Sequence, residues 1–299
     1  MSALGVLILA GPTASGKSDL AIELAKAFDA EIVGADSRQI YRGMPIGTAA
    51  PTVAQRAAVP HHLVDFLDPN ERYSAARFAH DATQAIEEIH GRGKRAIVVG
   101  GTGFYIRALT GDVALASQYD AAVRDRLARE ARLHPPEFLH GWLAVRDARR
   151  AAMLAPGDTY RVTRALEVAL SDASATREDA PLRNLRQAGI AFVKLGLDVP
   201  LTEIDERIER RTQAMLAAGL IEEAERVGAD AVAGDAVGYP QALAFLRGWS
   251  TEAEMRATLA RATRRYARRQ RSWLRSEPDL TWAQVRDIPA IARERLAWT

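Results

Sequence analysis

Short, wholly apolar runs alternate with stretches whose apolar positions recur every three or four residues. Residues 6–10 (Val-Leu-Ile-Leu-Ala) carry no polar position, which predicts a strand covered on both faces. Residues 31–35 and 95–99 follow the same pattern, while residues 19–28 and 77–90 show helical spacing. Such alternation predicts a parallel sheet with crossover helices. From 112 to 183 only helical spacing appears, with turn signals at Pro135-Pro136 and Pro156-Gly157. A strand at 191–197 resumes the core. Helices are expected at 202–218, 221–227 and 251–275, with a loop at 234–240. The expected architecture is α/β: a core made of residues 1–111 and 188–299, a helical insertion subdomain at 112–187, and a helical C-terminal third.

The segment that closes the first strand carries the clearest chemistry. Gly11, Pro12, Thr13, Ala14, Ser15, Gly16, Lys17 and Ser18 match G-x-x-x-x-G-K-[ST] between a strand and a helix. Glycines let backbone N–H groups turn inward around a phosphate, and the helix that follows adds its positive end. Lys17 brings a full charge, and the Ser18 hydroxyl is a candidate Mg2+ ligand. The core is therefore expected to be P-loop NTPase-like. The motif does not say what the phosphates belong to. A diphosphate ester fits as well as ATP.

In open parallel sheets, ligands sit beyond the carboxyl ends of the strands. Two more segments are expected on that edge: Asp36-Ser37-Arg38-Gln39 and Gly100-Gly101-Thr102-Gly103. Asp36 suits a general base, a Mg2+ ligand or a helix N-cap. Thr102, flanked by glycines, has a backbone that can approach a ligand closely, or simply forms a tight turn. The strand at 95–99 ends in Gly-Gly. It lacks the Asp that usually closes a Walker B strand, which weighs against ordinary ATP hydrolysis.

Composition narrows the field. Cysteine is absent, which removes disulfides, thiolate metal sites and thiol catalysis. No apolar run approaches the ~20 residues of a membrane span, and no basic segment precedes residues 6–10, so a cytoplasmic protein is expected. The net charge is only +2, so the whole chain is no general polyanion binder. The imbalance is local. Residues 256–276 hold eight arginines and no acid. Arg261, Arg264, Arg265, Arg268, Arg271 and Arg275 recur at three- and four-residue spacing, with Tyr266 and Trp273 interleaved, a pattern suited to RNA phosphates.

Together these residues resemble one family, the bacterial tRNA dimethylallyltransferases (tRNA isopentenyltransferases). The likeness is carried by GPTASGKS at 11–18, DSRQIY at 36–41, RGMPIGTA at 42–49 and PHHLVD at 60–65. It continues through GGTGFY at 100–105, Arg161 with RALE at 164–167, VGY at 237–239, and Arg269-Gln270 with WLR at 273–275. It spans nearly the whole chain. The resemblance implies transfer of a dimethylallyl group from dimethylallyl diphosphate to N6 of an adenine beside the anticodon of tRNA. It implies that Asp36 is the general base, that Thr102 orients the reacting groups, and that the phosphate loop with Lys17 and Mg2+ holds the leaving diphosphate. It places tRNA contacts at Asp36, Ser37, Arg38, Gln39 and Thr102, and at Arg124, Tyr160, Arg161, Val162, Thr163 and Arg164. Further contacts fall at Val237, Gly238, Tyr239, Arg269, Gln270 and Arg271. The chain departs from the family pattern at Pro45, Thr159-Tyr160 and Pro240, none of which removes a catalytic group.

Ile40, Tyr41, Phe104 and Tyr105 follow the active loops and are candidates either for a prenyl pocket or for ordinary core. A monomer is expected. Three other readings remain: a small-molecule kinase using ATP, a prenyltransferase of free adenine nucleotides, and an RNA-binding switch. The kinase leaves the cationic helix and the second glycine loop unexplained.

Overall fold

The computed structural model describes residues 5–113, 121–170 and 183–298. The first part of the chain forms β1 (Val6–Ala10), α1 (Lys17–Ala27), β2 (Ala30–Gly34), α2 (Pro45–Thr48), α3 (Val53–Ala58), β3 (His61–His62), α4 (Ala75–Gly91), β4 (Arg95–Gly100) and α5 (Gly103–Thr110). Four helices follow: α6 (Ala121–Leu133), α7 (Pro136–Arg146), α8 (Ala148–Ala151) and α9 (Thr159–Leu170). The chain then forms β5 (Phe192–Leu197), α10 (Leu201–Ala217), α11 (Leu220–Val227), α12 (Tyr239–Leu246), α13 (Glu252–Arg275), β6 (Leu280–Ala283) and α14 (Ile288–Leu296).

The six strands make one parallel sheet in the order β3-β2-β4-β1-β5-β6. All five residues of β1 are fully buried because both faces of the sheet are covered. Side chains alternate along a strand. Leu7 and Leu9 therefore pack with α1, α10 and α14 on one face, while Val6, Ile8 and Ala10 pack with α4 and α5 on the other. The strand is apolar throughout for this reason. α4 needs only one apolar stripe, which buries Phe78, Ala82, Ile86 and Ile89. The Ser74 hydroxyl caps its start by accepting the Arg77 N–H at 3.0 Å.

The chain divides into two compact units, Met1–Val113 with Leu182–Thr299, and Ala114–Pro181. The smaller unit is held by its own core of Leu127, Leu139, Leu143, Val162 and Leu166. The insertion expected at 112–187 includes 114–120 and 171–182, which lie outside the described residues. At its far end, Leu185 packs with the sheet unit, and its N–H donates to Leu109 O at 2.8 Å.

Lys194 on β5 is fully buried. Its Nζ donates to Asp112 Oδ2 at 2.8 Å and to Glu277 Oε1 at 2.9 Å. Arg186 holds the other Asp112 oxygen at 2.7 Å, and Arg107 holds the other Glu277 oxygen at 2.8 Å. The Lys194 and Arg186 pairs and the Thr110 hydroxyl pull the Asp112 carboxyl down to about 2, against the effect of its burial. This network ties the chain at 112 and 186 and the end of α13 to the sheet.

The helical C-terminal third is corrected in one respect: it returns β6 to the sheet. The expected loop at 234–240 also runs directly into α12.

Candidate active site

Because β2, β4 and β1 are consecutive neighbours, the three loops at their carboxyl ends are adjacent. They are joined through the backbone. Gly11 N–H donates to Gly100 O at 3.3 Å, and Thr102 N–H donates to Ala35 O at 3.2 Å. The closeness explains the glycines. A Cβ on Gly100 would lie 2.0 Å from Ala35 O. Gly16 sits in the left-handed region at φ +86, the turn that starts α1.

Within the phosphate loop, the Lys17 ammonium donates to Pro12 O at 3.3 Å. Burial lowers Lys17 to about 8; the negative charge of Asp36 opposes this, and Arg211 adds to it. The Ser15 hydroxyl is buried with no hydrogen-bond partner among the described residues. Two arginines from α10 reach the loop from outside. Arg211 donates to Thr13 Oγ1 at 3.2 Å, and Arg207 donates to Ala14 O at 3.4 Å. Burial lowers the Arg211 guanidinium while Asp36 pulls it up. Sequence reasoning missed both arginines. They sit among Glu203, Asp205, Glu206 and Glu209, so their helix has the charge pattern of a solvated surface.

Asp36 does not cap a helix. Its Oδ1 accepts the Arg38 N–H at 2.9 Å in a local turn, and Oδ2 has no hydrogen-bond partner among the described residues. Thr102 Oγ1 accepts the Ser37 N–H at 3.0 Å and donates to Ser37 Oγ at 3.3 Å, holding the Asp36 segment against the glycine loop. Burial raises the Tyr105 and Tyr266 phenols, and the negative field of Asp36 adds to this in both. Tyr266, in the sequence an aromatic interleaved among arginines, lies on the α13 face turned toward this site.

The expected tRNA-contacting residues separate by exposure. Tyr160 is 81% exposed, and Arg161 is exposed and paired with Asp158 at 3.4 Å. Arg269 is exposed, with its guanidinium 5.8 Å from the Tyr266 ring centroid. Arg38 pairs with Asp235 at 2.8 Å, and the Gln39 amide donates to Ala49 O at 3.0 Å. Arg124 and Arg164 converge on the buried Glu167 at 3.0 and 2.6 Å. The Thr163 hydroxyl turns back to Thr159 O at 2.7 Å. Val237 is partly buried and Gly238 is buried.

Besides Gly238, three of these residues have side chains that are internal. Val162 is in the core of the smaller unit. Tyr239 is wholly buried against Gly47, with its hydroxyl donating to Glu223 at 2.8 Å. Gln270 is 7% exposed. Their place is inside the protein because each has its polar or apolar requirement met there.

The arginine face of α13 is partly neutralised. Arg264 pairs with Glu209, Arg268 pairs with Asp205 at 2.7 Å, and Arg271 lies 3.5 Å from Asp198. Arg256, Arg261 and Arg265 are exposed and make no ion pair among the described residues.

Among the described residues no cluster of three or more His, Cys, Asp or Glu side chains could cage a metal. The oxygens of Ser18 and Asp36 are nevertheless hard donors of the kind Mg2+ takes. Mg2+ usually binds through one or two protein oxygens plus substrate phosphates, so the donor set fits a substrate-borne Mg2+.

The IPP transferase family model matches residues 39–277. The tRNA dimethylallyltransferase of Geobacter sulfurreducens is 41% identical over 284 residues, covering 93% of this chain and 91% of that protein. The tRNA dimethylallyltransferase of Anaeromyxobacter sp. (strain Fw109-5) is 46% identical over 285 residues, covering 93% of each. Among solved structures, the full-length tRNA isopentenylpyrophosphate transferase of Bacillus halodurans superposes with a TM-score of 0.71 at 34% identity. The match covers 98% of this chain and 97% of that one.

Proposed function

The chain belongs to the IPP transferase family, and from that premise we propose that it transfers the dimethylallyl group of dimethylallyl diphosphate to N6 of an adenine beside the anticodon of tRNA. One observation supports this above the rest. The phosphate loop, the Asp36 carboxylate and the Thr102 hydroxyl leave three adjacent strand ends of one sheet, with Lys17 and Asp36 within each other's field.

In the reaction the bond from the allylic carbon to the diphosphate oxygen breaks, and its electron pair leaves with the diphosphate. The N6 lone pair forms the new C–N bond, and the N6 proton passes to Asp36. Lys17, Arg211 and those N–H groups of the phosphate loop not engaged within the protein receive the developing negative charge, a preorganised electrostatic contribution. Asp36 Oδ2 is the oxygen left open for the proton, since Oδ1 is engaged by Arg38 N–H. Thr102 fixes Ser37 and with it the direction of Asp36. Ser18 and the substrate's own oxygens would hold Mg2+, which when bound offsets the diphosphate charge. An adenine in a loop leaves its stack at a cost of a few kcal/mol, far more easily than one in a duplex.

The partners are tRNA and dimethylallyl diphosphate, and the enzyme works as a monomer in the cytoplasm. Among the described residues no helix is long and apolar enough to cross a membrane. The test is labelled dimethylallyl diphosphate incubated with the protein, Mg2+ and either tRNA or ATP. Label in tRNA is expected. Label in ATP alone would favour the adenine-nucleotide reading, and no covalent product in either arm would refute prenyl transfer.

A further inference from the structure

Gln270 lies on α13, 257 residues from Thr13 and 169 from Gly101, yet its side-chain amide joins the two. Oε1 accepts the Thr13 N–H at 2.8 Å, and Nε2 donates to Gly101 O at 3.0 Å. The partners fix the amide's orientation, because an N–H needs the oxygen and a carbonyl needs the NH2. The amide occupies a slot that only glycine leaves open. A Cβ on Gly101 would lie 2.3 Å from Nε2. One turn on, Trp273 fills the corresponding space over Gly103, where a Cβ would lie 1.9 Å from the ring. Arg107 stacks on that ring at 4.0 Å and bonds Glu277, so the helix cannot slide along the loops.

The connections continue beyond Gly101. The next residue, Thr102, holds Ser37 through its hydroxyl, and Ser37 is next to Asp36. A short path thus runs from the loop that grips the leaving group to the base that takes the proton, and Gln270 is its bridging side chain. Building on the function proposed above, we infer that Gln270 is a positioning residue that sets the donor loop and the Gly101–Asp36 side of the site in register for transfer. It does not touch RNA. The reaction needs the allylic carbon and N6 brought to contact in line with the leaving oxygen, and a displacement of about 1 Å costs about 100-fold. Two hydrogen bonds from one buried amide are a means of holding that spacing.

The test compares the parent with Gln270→Met, which keeps the volume and loses both hydrogen bonds, and Gln270→Glu. Single-turnover transfer of labelled dimethylallyl to tRNA is followed from pH 5.5 to 8, with the tRNA Kd measured separately. For Gln270→Met we expect transfer to fall about 10- to 100-fold, with tRNA affinity within about twofold of the parent because the residue is buried. For Gln270→Glu the carboxylate can still accept from Thr13 but cannot donate to Gly101 until it is protonated. Its rate relative to Gln270→Met at the same pH therefore rises as pH falls, a recovery that lost packing alone does not produce. Taking the ratio cancels any pH dependence that the two variants share. Should Gln270→Met unfold by circular dichroism, the rate of Gln270→Glu relative to the parent, rising toward low pH, carries the same test.

Transfer by Gln270→Met at the parent's rate would overturn the inference. So would a Gln270→Glu ratio flat in pH, or weakened tRNA binding with full transfer at saturating tRNA. A parent that transfers no label would instead overturn the functional reading, and this inference with it.

Discussion

Replacing Asp36 by Asn keeps the shape of the side chain, removes one negative charge, and acts at two places. The first is the proton. General-base help contributes about 10²–10⁴-fold, so transfer within a bound complex falls by that range, about 3–5 kcal/mol of barrier. The second is Lys17. Burial brings its ammonium to about 8, and the attraction of Asp36 holds it there against a further fall. With a value of about 8, about three quarters of Lys17 is charged at pH 7.5. If the loss of Asp36 lowers it by about one unit, an effect of about 1.4 kcal/mol, roughly one quarter stays charged. Removing Asp36 also removes a repulsion on the diphosphate, and that effect strengthens binding without following the titration of Lys17. The diagnostic quantity is therefore a slope. Donor affinity of Asp36→Asn relative to the parent should decline about threefold between pH 6 and pH 7.5, while the deficit in transfer stays large throughout. Quench-flow with labelled donor gives the transfer step, and equilibrium binding across pH 6–8.5 gives the affinity. Transfer within tenfold of the parent would mean that the base lies elsewhere. A ratio of affinities flat in pH would mean that the two charges do not act on each other.

Lys17→Ala should weaken donor binding and slow transfer together, because the charge touches the diphosphate before and during its departure; equal donor affinity by titration would break that link. In the parent, kcat/KM for the donor should fall as pH rises through about 8, where free Lys17 loses its proton, while kcat holds to higher pH because bound diphosphate retains that proton. Lys194→Met removes the buried cation that Asp112 and Glu277 share and leaves each carboxylate with its arginine alone, which should cost about 1–3 kcal/mol in urea unfolding; no measurable loss would contradict the network. In tRNA binding, Arg261→Gln with Arg265→Gln should reduce the slope of log K against log salt by about 1.4–1.8, and Arg264→Gln with Arg268→Gln by less; equal reductions would show that the pairing with α10 does not persist beside RNA.

The strands β1, β2, β4 and β5 and the phosphate loop are legible in the sequence because each is a local pattern. A buried strand must be apolar at every position, and a phosphate loop must carry its glycines and its lysine at fixed spacing. β6 is not legible, since Leu-Thr-Trp-Ala is short and lies at the sheet edge, so fewer positions are forced to be apolar. α12 is hidden by its own start, where Gly238, Tyr239 and Pro240 have the composition of a turn. Pro240 suits the first turn of a helix, where its missing N–H is not required. The assignment of Asp36 and Thr102 to one site rests on strand order. Nothing local in the sequence says that β4 lies between β2 and β1.

The same distinction between local and distant explains the cationic helix. Counted along the chain, residues 256–276 have no acid, and every arginine there looks available to RNA. In the fold α13 lies beside α10, whose Asp205 and Glu209 meet Arg268 and Arg264 across the helix pair. Composition cannot register a pairing that spans 55 or 63 residues. Only the fold separates the arginines that meet α10 from Arg261 and Arg265 on the exposed face. Exposed ion pairs of this kind contribute about 0–1 kcal/mol to folding, so breaking them costs little stability. Arg264 and Arg268 are thus held in place before RNA arrives, whereas Arg261 and Arg265 project into solvent. The two pairs should therefore differ in salt slope more than in their effect on folding, and that difference separates an RNA-binding face from a merely solvated one.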